Sequence, residues 1–542
     1  MRTRANTLAV TGLLLALISL RSVASEKTVA AAFTQFLTAR TPQDAAKAAD
    51  AVAKSGVDFE AALQRLKEGR VYSADVPKGI VRHSHAIGGT DFPYTLDVPE
   101  SYTPAKRYQI RIQLHGGVGR PDALPRNGIG QLAGAEQIYI LPTAWAGFEW
   151  WTARQLENLH WIVDSVKRTY NVDESHIVVS GVSDGGTGAY YVAMRETTLF
   201  ASFLPLNGAL AVLRNPSMKI DGPLFPQNFV NKPFFIVNGG RDPLYPTAVV
   251  EPYIEHMARG GVEVKYLPQP EAGHNTQWWP QLKDTFETFV SEHPRQPYPD
   301  RLTWETTVAD AANRAHWLVI DKLAPGAPNA DDATLPDLNR FGSGPMPDFG
   351  LRVSGARVTS IAENSNASIF GFERGDVIVS INGGAVPPDA NALEALSHYP
   401  GGKMTTIAVS RNGAAVELTG MLLVTGPPRV RPLFNHGSPS GRVDLTKEGN
   451  VVRATTRGVE AFTLLLSPDS FDFSKPVTVI ANGTTVFDGR VTKSVATLMK
   501  WAARDNDRTM LFGAELPIKL RPRVAENPRV RVAPAGSADT SR

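Results

Sequence analysis

The sequence predicts an α/β chain built on a mostly parallel sheet with helices on both faces, followed by β-rich segments. Three observations carry that prediction. Between residues 75 and 297, short apolar strands alternate with amphipathic helices, which is the pattern of strands joined by helical crossovers. One strand, His176-Ile177-Val178-Val179, runs directly into a Gly-rich turn and then a helix through Met194. A stretch rich in Pro, Gly, Asp and Asn over 323–347 reads as a linker before shorter strands with turn signals. The 542 residues exceed what one core organises, and about 100–200 residues per domain gives three or four units.

Taken in order, the chain opens with a targeting pattern over residues 1–24. Met1-Arg2-Thr3-Arg4 is basic, Leu8 to Leu20 is apolar, and Ser22-Val23-Ala24 offers small residues for a signal peptidase. The apolar run, about 13 residues, is short of the roughly 20 that span a bilayer. The expectation is a cleaved export signal, with no membrane span afterwards. Residues 26–74 read as a helical lead-in, with Ala31, Phe33, Phe36 and Leu37 at helical spacing and a second stripe from Phe59 to Leu66.

Within 75–297, strands are expected at 109–114, 137–141, 176–180, 203–206, 234–237 and 262–266, with helices over 155–170, 246–259 and 279–292. Residues 298–347 hold two strands (near 302–306 and 317–320) and the linker; 348–425 is a compact β-rich segment with a helix near 389–398. The two strands could pair with strands of 429–520, a β-rich segment with a helix near 494–503, which would make 348–425 an insertion. Residues 523–542, with Pro, Ala, Gly, Ser and Arg, are expected to be a disordered tail.

Composition excludes several classes. Hydrophobic content of 42% and charged content of 20% are ordinary for globular protein. The net charge of +3 is small and dispersed, without the basic stripe that nucleic-acid binding needs. There is no cysteine, hence no disulfide, thiolate nucleophile or Cys-ligated zinc. An exported chain without disulfides suits a bacterial periplasm or the surrounding medium. No His-Glu-x-x-His helix, phosphate-cradling Gly-rich loop or dinucleotide fingerprint is present. No metal or other cofactor is expected.

The chemistry centres on Gly181-Val182-Ser183-Asp184-Gly185, directly after a buried strand and directly before a helix. A serine hydroxyl is a poor nucleophile unless it is exposed beside a base. The sharp turn exposes it, small neighbours permit the turn, and the helix N-terminus favours a developing oxyanion. Asp242 follows the strand at 234–238, and His274 follows the strand at 262–266. The order Ser, acid, His, each at a strand end, makes Ser183, Asp242 and His274 the candidate triad, with His274 as base and Asp242 fixing its tautomer. The candidate oxyanion donors are the backbone amides of Asp184 and of Gly116 or Gly117. Trp150, Trp151 and Trp278 lie after strand ends or near His274 and are expected to line a substrate pocket, although indoles more often pack in cores.

On these residues, 80–297 resembles the esterase and prolyl-oligopeptidase branch of the α/β hydrolases. The Ser183-Asp184-Gly185-Gly186 elbow, the Gly239-Gly240-Arg241-Asp242-Pro243 loop and Gly273-His274 carry the likeness, over about two fifths of the chain. The resemblance implies an α/β-hydrolase fold and hydrolysis of a small ester or a peptide through an acyl-enzyme. Prolyl oligopeptidases place a large β-propeller before the catalytic domain. Only a short helical region precedes it here, which favours a carboxylesterase.

A second segment, 348–425, resembles a bacterial-type PDZ domain. Phe349-Gly350-Leu351 stands where that family binds a terminal carboxylate, and Glu373 to Gly383 matches its most regular stretch. The resemblance implies docking of a peptide or protein C-terminus as an added strand. The sequence therefore supports three readings: an exported serine hydrolase cleaving carboxylic esters, a prolyl-oligopeptidase-like serine peptidase, and a catalytically inactive PDZ scaffold.

Overall fold

The computed structural model describes residues 26–118, 134–309, 312–330, 334–336, 349–397, 404–422, 430–434 and 436–520. The expected export signal, most of the linker and the expected tail lie outside these residues.

Three helices come first: α1 (Glu26–Thr38), α2 (Pro42–Lys54) and α3 (Phe59–Glu68). Thr41 and Asp58 cap α2 and α3, each side chain accepting a backbone N–H of the first turn. The eight strands that follow are β1 (Gly79–Ile87), β2 (Thr90–Val98), β3 (Tyr108–Leu114), β4 (Ile138–Pro142), β5 (Val172–Val182), β6 (Phe203–Leu206), β7 (Phe234–Ile236) and β8 (Val264–Tyr266). They form one sheet in the order β1-β2-β4-β3-β5-β6-β7-β8. The pairs β1/β2 and β2/β4 are antiparallel, and every later pair is parallel. The hairpin β1–β2 has no counterpart in the sequence expectation. Its first strand runs Arg82-His83-Ser84-His85 and is exposed along much of its length, so it lacks the apolar alternation that marks a half-buried strand.

Helices α4 (Ala153–Thr169), α5 (Asp184–Arg195), α6 (Thr247–Arg259) and α7 (Trp279–Glu292) accompany the sheet. The two-residue period of the strands decides which face each helix covers. Ile177 and Val179 join α4's Leu159, Ile162, Val163 and Val166 in one core, whereas Val178 joins Phe286 and Phe289 of α7 in another. Each such side chain contributes about 1.5–3 kcal/mol on burial. The turn after β5 is thus held between two packed layers.

Downstream lie β9 (Arg301–Thr306), β10 (Arg314–Ala315), β11 (Leu318–Leu323) and the short β12 (Thr334–Pro336). Residues 349–422 then form a small sheet of their own from β13 (Leu351–Ser354), β14 (Arg357–Ile361), β15 (Val377–Ile381), β16 (Gly384–Ala385), β17 (Met404–Arg411) and β18 (Ala414–Met421). Helices α8 (Asn366–Phe370) and α9 (Ala392–Ser397) complete it. After β19 (Val430–Pro432) come β20 (Gly441–Glu448), β21 (Val451–Arg457), β22 (Val459–Leu466), β23 (Val477–Ala481), β24 (Thr484–Gly489), α10 (Val495–Asp505) and β25 (Ala514–Lys519).

Strand β9 pairs with β20 and β11 pairs with β22. Two sheets, β10-β11-β22-β25 and β24-β23-β21-β20-β9, enclose a core of Trp304, Trp317, Phe462 and Phe512, among others. The small sheet is therefore inserted into this β unit. Its entry and exit strands, β12 and β19, pair with each other, and Leu335 and Leu433 reach the core around the eight-stranded sheet. Helices α1–α3 pack against α10, where Val52, Leu63 and Leu66 meet Leu498, Met499 and Leu511. No described helix is long and apolar enough to cross a membrane.

Candidate active site

Strand β5 ends at Val182, and Ser183 turns the chain into α5 with φ 59° and ψ −121°. That region costs a non-glycine residue about 1–3 kcal/mol. Neighbouring hydrogen bonds hold it there: the Ser183 amide donates to Leu206 O at 2.9 Å, and the Thr187 amide to Ser183 O at 3.0 Å. A Cβ on Gly181 would collide with the Gly185 backbone, and one on Gly185 with the Leu114 backbone. The two motif glycines are thus needed for close approach.

The three candidate catalytic side chains meet. Ser183 Oγ lies 2.8 Å from His274 Nε2, and His274 Nδ1 lies 2.7 Å from Asp242 Oδ2. Asp242 is fully buried, and its Oδ1 accepts the amides of Leu244 (2.8 Å) and Tyr245 (3.0 Å). A carboxylate so occupied accepts a hydrogen bond from the Nδ1–H group and leaves Nε2 as the base toward serine. Tyr245 meets the imidazole edge-on at 5.8 Å.

The acid and base loops are laced together. Gly240 donates to Gln269 O (2.8 Å), Arg241 to Ala272 O (2.9 Å), and Asn207 Nδ2 to Asn275 O (2.7 Å). On the outer side the Met421 amide of β18 donates to Pro243 O at 3.3 Å. The inserted sheet therefore touches the residue beside Asp242.

The loop after β3 completes the site. A Cβ on Gly116 would lie 2.8 Å from Ser183 Cβ, so only glycine allows this backbone to pass Ser183. Gly117, at φ 72°, turns the next peptide. Among the described residues, nothing accepts from the amides of Gly117 and Asp184. Two side chains assigned no role by the sequence hold the loop in place. Asp184 Oδ2 accepts the Val118 amide at 2.9 Å. His115 Nδ1 donates to Gly116 O at 2.9 Å, and its Nε2 accepts the Ala144 amide at 3.0 Å. Burial holds the His115 pKa below its usual value, which suits this neutral tautomer. Their only sequence signal is adjacency, one to the nucleophile and the other to the glycine pair.

The tryptophans require a correction. Trp150 and Trp151 are each 1% exposed. Their indole N–H groups donate to His115 O (2.8 Å) and Met218 O (3.0 Å). Trp278 is buried in the core beneath α7 with Trp279 and Phe286. None presents a ring face to a substrate, because partner carbonyls and packing neighbours turn them inward. Trp150 instead props the oxyanion loop from behind. Among the described residues, no group of three or more His, Asp or Glu side chains is placed to hold a metal ion.

The mixed sheet, its strand order and the strained serine turn define the fold. It is an α/β-hydrolase fold.

No family model matches the sequence, and no curated protein matches it. Among solved structures, the chain is similar to a thermostable esterase at 20% identity and TM-score 0.32, over 40% of this chain and 63% of that one. It thus spans less than two thirds of that esterase. It is also similar to apo Thermogutta terrifontis esterase 2, at 17% identity and TM-score 0.33 over 40% of this chain and 97% of that one. A ferulic acid esterase matches at 17% identity and TM-score 0.32, over 39% and 97% of the two chains. Likenesses this distant carry no functional assignment.

Proposed function

We propose that the chain is an exported serine hydrolase that cleaves carboxylic esters through an acyl-enzyme, with residues 349–422 serving as a PDZ-type docking module. One observation carries the reading: Ser183, His274 and Asp242 form an unbroken hydrogen-bonded chain beside the amides of Gly117 and Asp184, which have no partner among the described residues. Ser183 Oγ attacks the ester carbonyl carbon while its proton passes to His274 Nε2. The oxyanion so formed lies toward the Gly116–Gly117 and Asp184 amides at the positive end of α5, where each preorganised donor contributes about 3 kcal/mol. Collapse breaks the carbon–oxygen bond, and the imidazolium returns the proton to the leaving alkoxide, releasing an alcohol. Water, deprotonated by the same imidazole, then releases the carboxylic acid and restores the serine.

The docking module rests on the edge of the small sheet. Strand β13 ends that sheet, α9 packs beside it, and Gly350 at φ 77° turns the chain into it from Phe349. A Cβ at Gly350 would collide with the Ser365 side chain. An extended peptide would add to this edge, its terminal carboxylate held at Phe349-Gly350-Leu351. The contact between Met421 and Pro243 favours a second reading, a serine peptidase in which the module brings peptide substrates to the rim. An inactive scaffold would not need the serine strained and the base oriented.

Steady-state hydrolysis of p-nitrophenyl esters, compared with aminoacyl and peptide anilides, separates these readings. Higher kcat/KM for the esters is expected. Turnover of anilides alone would replace the esterase reading with the peptidase one, and turnover of neither would leave the scaffold.

A further inference from the structure

A cleft of about 850 Å³ separates the catalytic unit from the β unit, and no triad residue lines it. One wall is the sheet β24-β23-β21-β20-β9, and the other includes Pro226, Val230 and the far end of α6. Helix α6 begins just after Asp242 and rises about 1.5 Å per residue, so its His256–Arg259 end stands roughly 18 Å further along.

Strand pairing fixes what the sheet shows the cleft. Thr446 of β20 faces Arg301 of β9 on one side and Arg453 of β21 on the other. Directly paired residues project from the same face, so Arg301, Thr446 and Arg453 form one cross-strand row. Their sequence neighbours Leu302, Leu445, Val452 and Ala454 turn to the other face, into the core. The two arginines therefore straddle Thr446 at two strand spacings, about 10 Å between backbones.

Neither Arg301 nor Arg453 makes an ion pair or side-chain hydrogen bond with a described residue, whereas Arg295 and Arg508, which bridge the two units, pair with Asp507 and Glu174. The cleft's one carboxylate, Asp444, is already engaged, by Arg442 at 2.8 and 3.0 Å and by Thr303 Oγ1 at 2.8 Å. Burial and the neighbouring Arg259 lower the pKa of His256, which disfavours any further positive charge on that wall. Three guanidinium groups thus line the cleft against one carboxylate. Gln227, on the opposite wall, has a buried Oε1 without a hydrogen-bond partner. A donor on a guest would satisfy it.

We propose that this cleft is a binding site, separate from the triad, for a small organic anion whose carboxylate or phosphate sits between Arg301 and Arg453. The guanidinium fork matches the planar oxygens of either group, and Pro226, Val230 and Val262 offer an apolar wall for the rest of the molecule. The inference does not depend on the hydrolase reading.

Isothermal titration of the full chain with octanoate, octyl phosphate and neutral octanol tests it. The expected result is one saturable site for at least one anion, weakened by added salt, with octanol failing to bind there. Octanoate alone binding assigns a carboxylate guest, octyl phosphate alone a phosphate guest, and both a general anion site. Arg301→Ala and Arg453→Ala should each weaken binding by about tenfold, since one charged hydrogen-bonding partner is lost in each. Both residues are exposed and have no side-chain partner among the described residues, so the variants should melt as the parent does. Thr446→Glu, which sets a carboxylate between the arginines, should abolish binding with the fold intact. Absence of saturable anion binding, unchanged affinity in the double arginine variant, or equal binding of octanol would overturn the proposal.

Discussion

The candidate catalytic rim is built from loops of the eight-stranded sheet, whereas the junction cleft lies against the face of a second sheet, and the two treat charge in opposite ways. At the rim, Asp242 is fully buried and its two oxygens are taken up by His274 and by two amides. In the cleft, Arg301 and Arg453 stand exposed with no side-chain partner among the described residues. A site whose charges are closed on themselves suits a neutral substrate and generates charge only during reaction. A site whose cations are left open suits a guest that arrives charged. The rest of the junction shows that open arginines are not general here. Arg295 pairs with Asp507 at 2.6 Å with both side chains 1% exposed, and Arg314 pairs with Asp505 at 2.6 Å.

The comparison can be broken most severely at Asp242. Asp242→Asn keeps the shape but presents an amide to Nδ1, so the imidazole holds the wrong tautomer. The expected loss is about 10⁴-fold in kcat with little change in melting temperature. A loss of only a few fold would show that His274 is not oriented by this carboxylate.

The next effect falls on stability. Burial alone would raise the Asp507 carboxyl, but Arg295 and Lys167 hold it down to about 2. Arg295→Ala removes the nearer of its two cations and leaves the buried carboxylate only Lys167 at 3.9 Å, at a cost of about 3–5 kcal/mol in denaturant unfolding. By contrast, Arg301→Ala in the cleft should leave unfolding unchanged.

A smaller effect separates chemistry from folding within the rim. Gly116→Ala brings a methyl group against Ser183 and displaces the oxyanion loop, for an expected loss of about 10²–10³-fold in kcat. Unchanged kcat would move the oxyanion hole elsewhere.

The smallest concerns pH. His85 stacks on Trp161 with ring centroids 3.7 Å apart; neither ring nitrogen has a partner, and burial lowers its pKa to about 4. The unfolded chain takes up that proton near pH 6.5 and the folded chain does not. The contribution is therefore complete above about pH 6.5 and is lost as pH falls through about 4. His85→Phe keeps the stack and should lessen the drop in melting temperature between those values.

Much of the rim was legible in the sequence because each triad residue is tied to a strand end, and strand ends follow from local apolar patterning. Gly181 and Gly185 announce the turn for the same local reason. The tryptophans were misread because their orientation depends on distant carbonyls: Trp150 is fixed by His115 and Trp151 by Met218. The lock on the oxyanion loop was missed likewise, since the Asp184 carboxylate finds its partner only at Val118. The cleft could not be read at all. Its arginine row exists only once β9 pairs with β20 and β20 with β21, and an entire inserted sheet lies between the first two in sequence.

The central claim is that Ser183 is an activated nucleophile. Incubation of the folded chain with a fluorophosphonate probe, followed by peptide mass spectrometry, tests it most directly. Covalent labelling confined to the peptide containing Ser183, and lost in Ser183→Ala, is the predicted result. A folded parent chain that stays unlabelled, or one labelled equally in Ser183→Ala, would contradict the account.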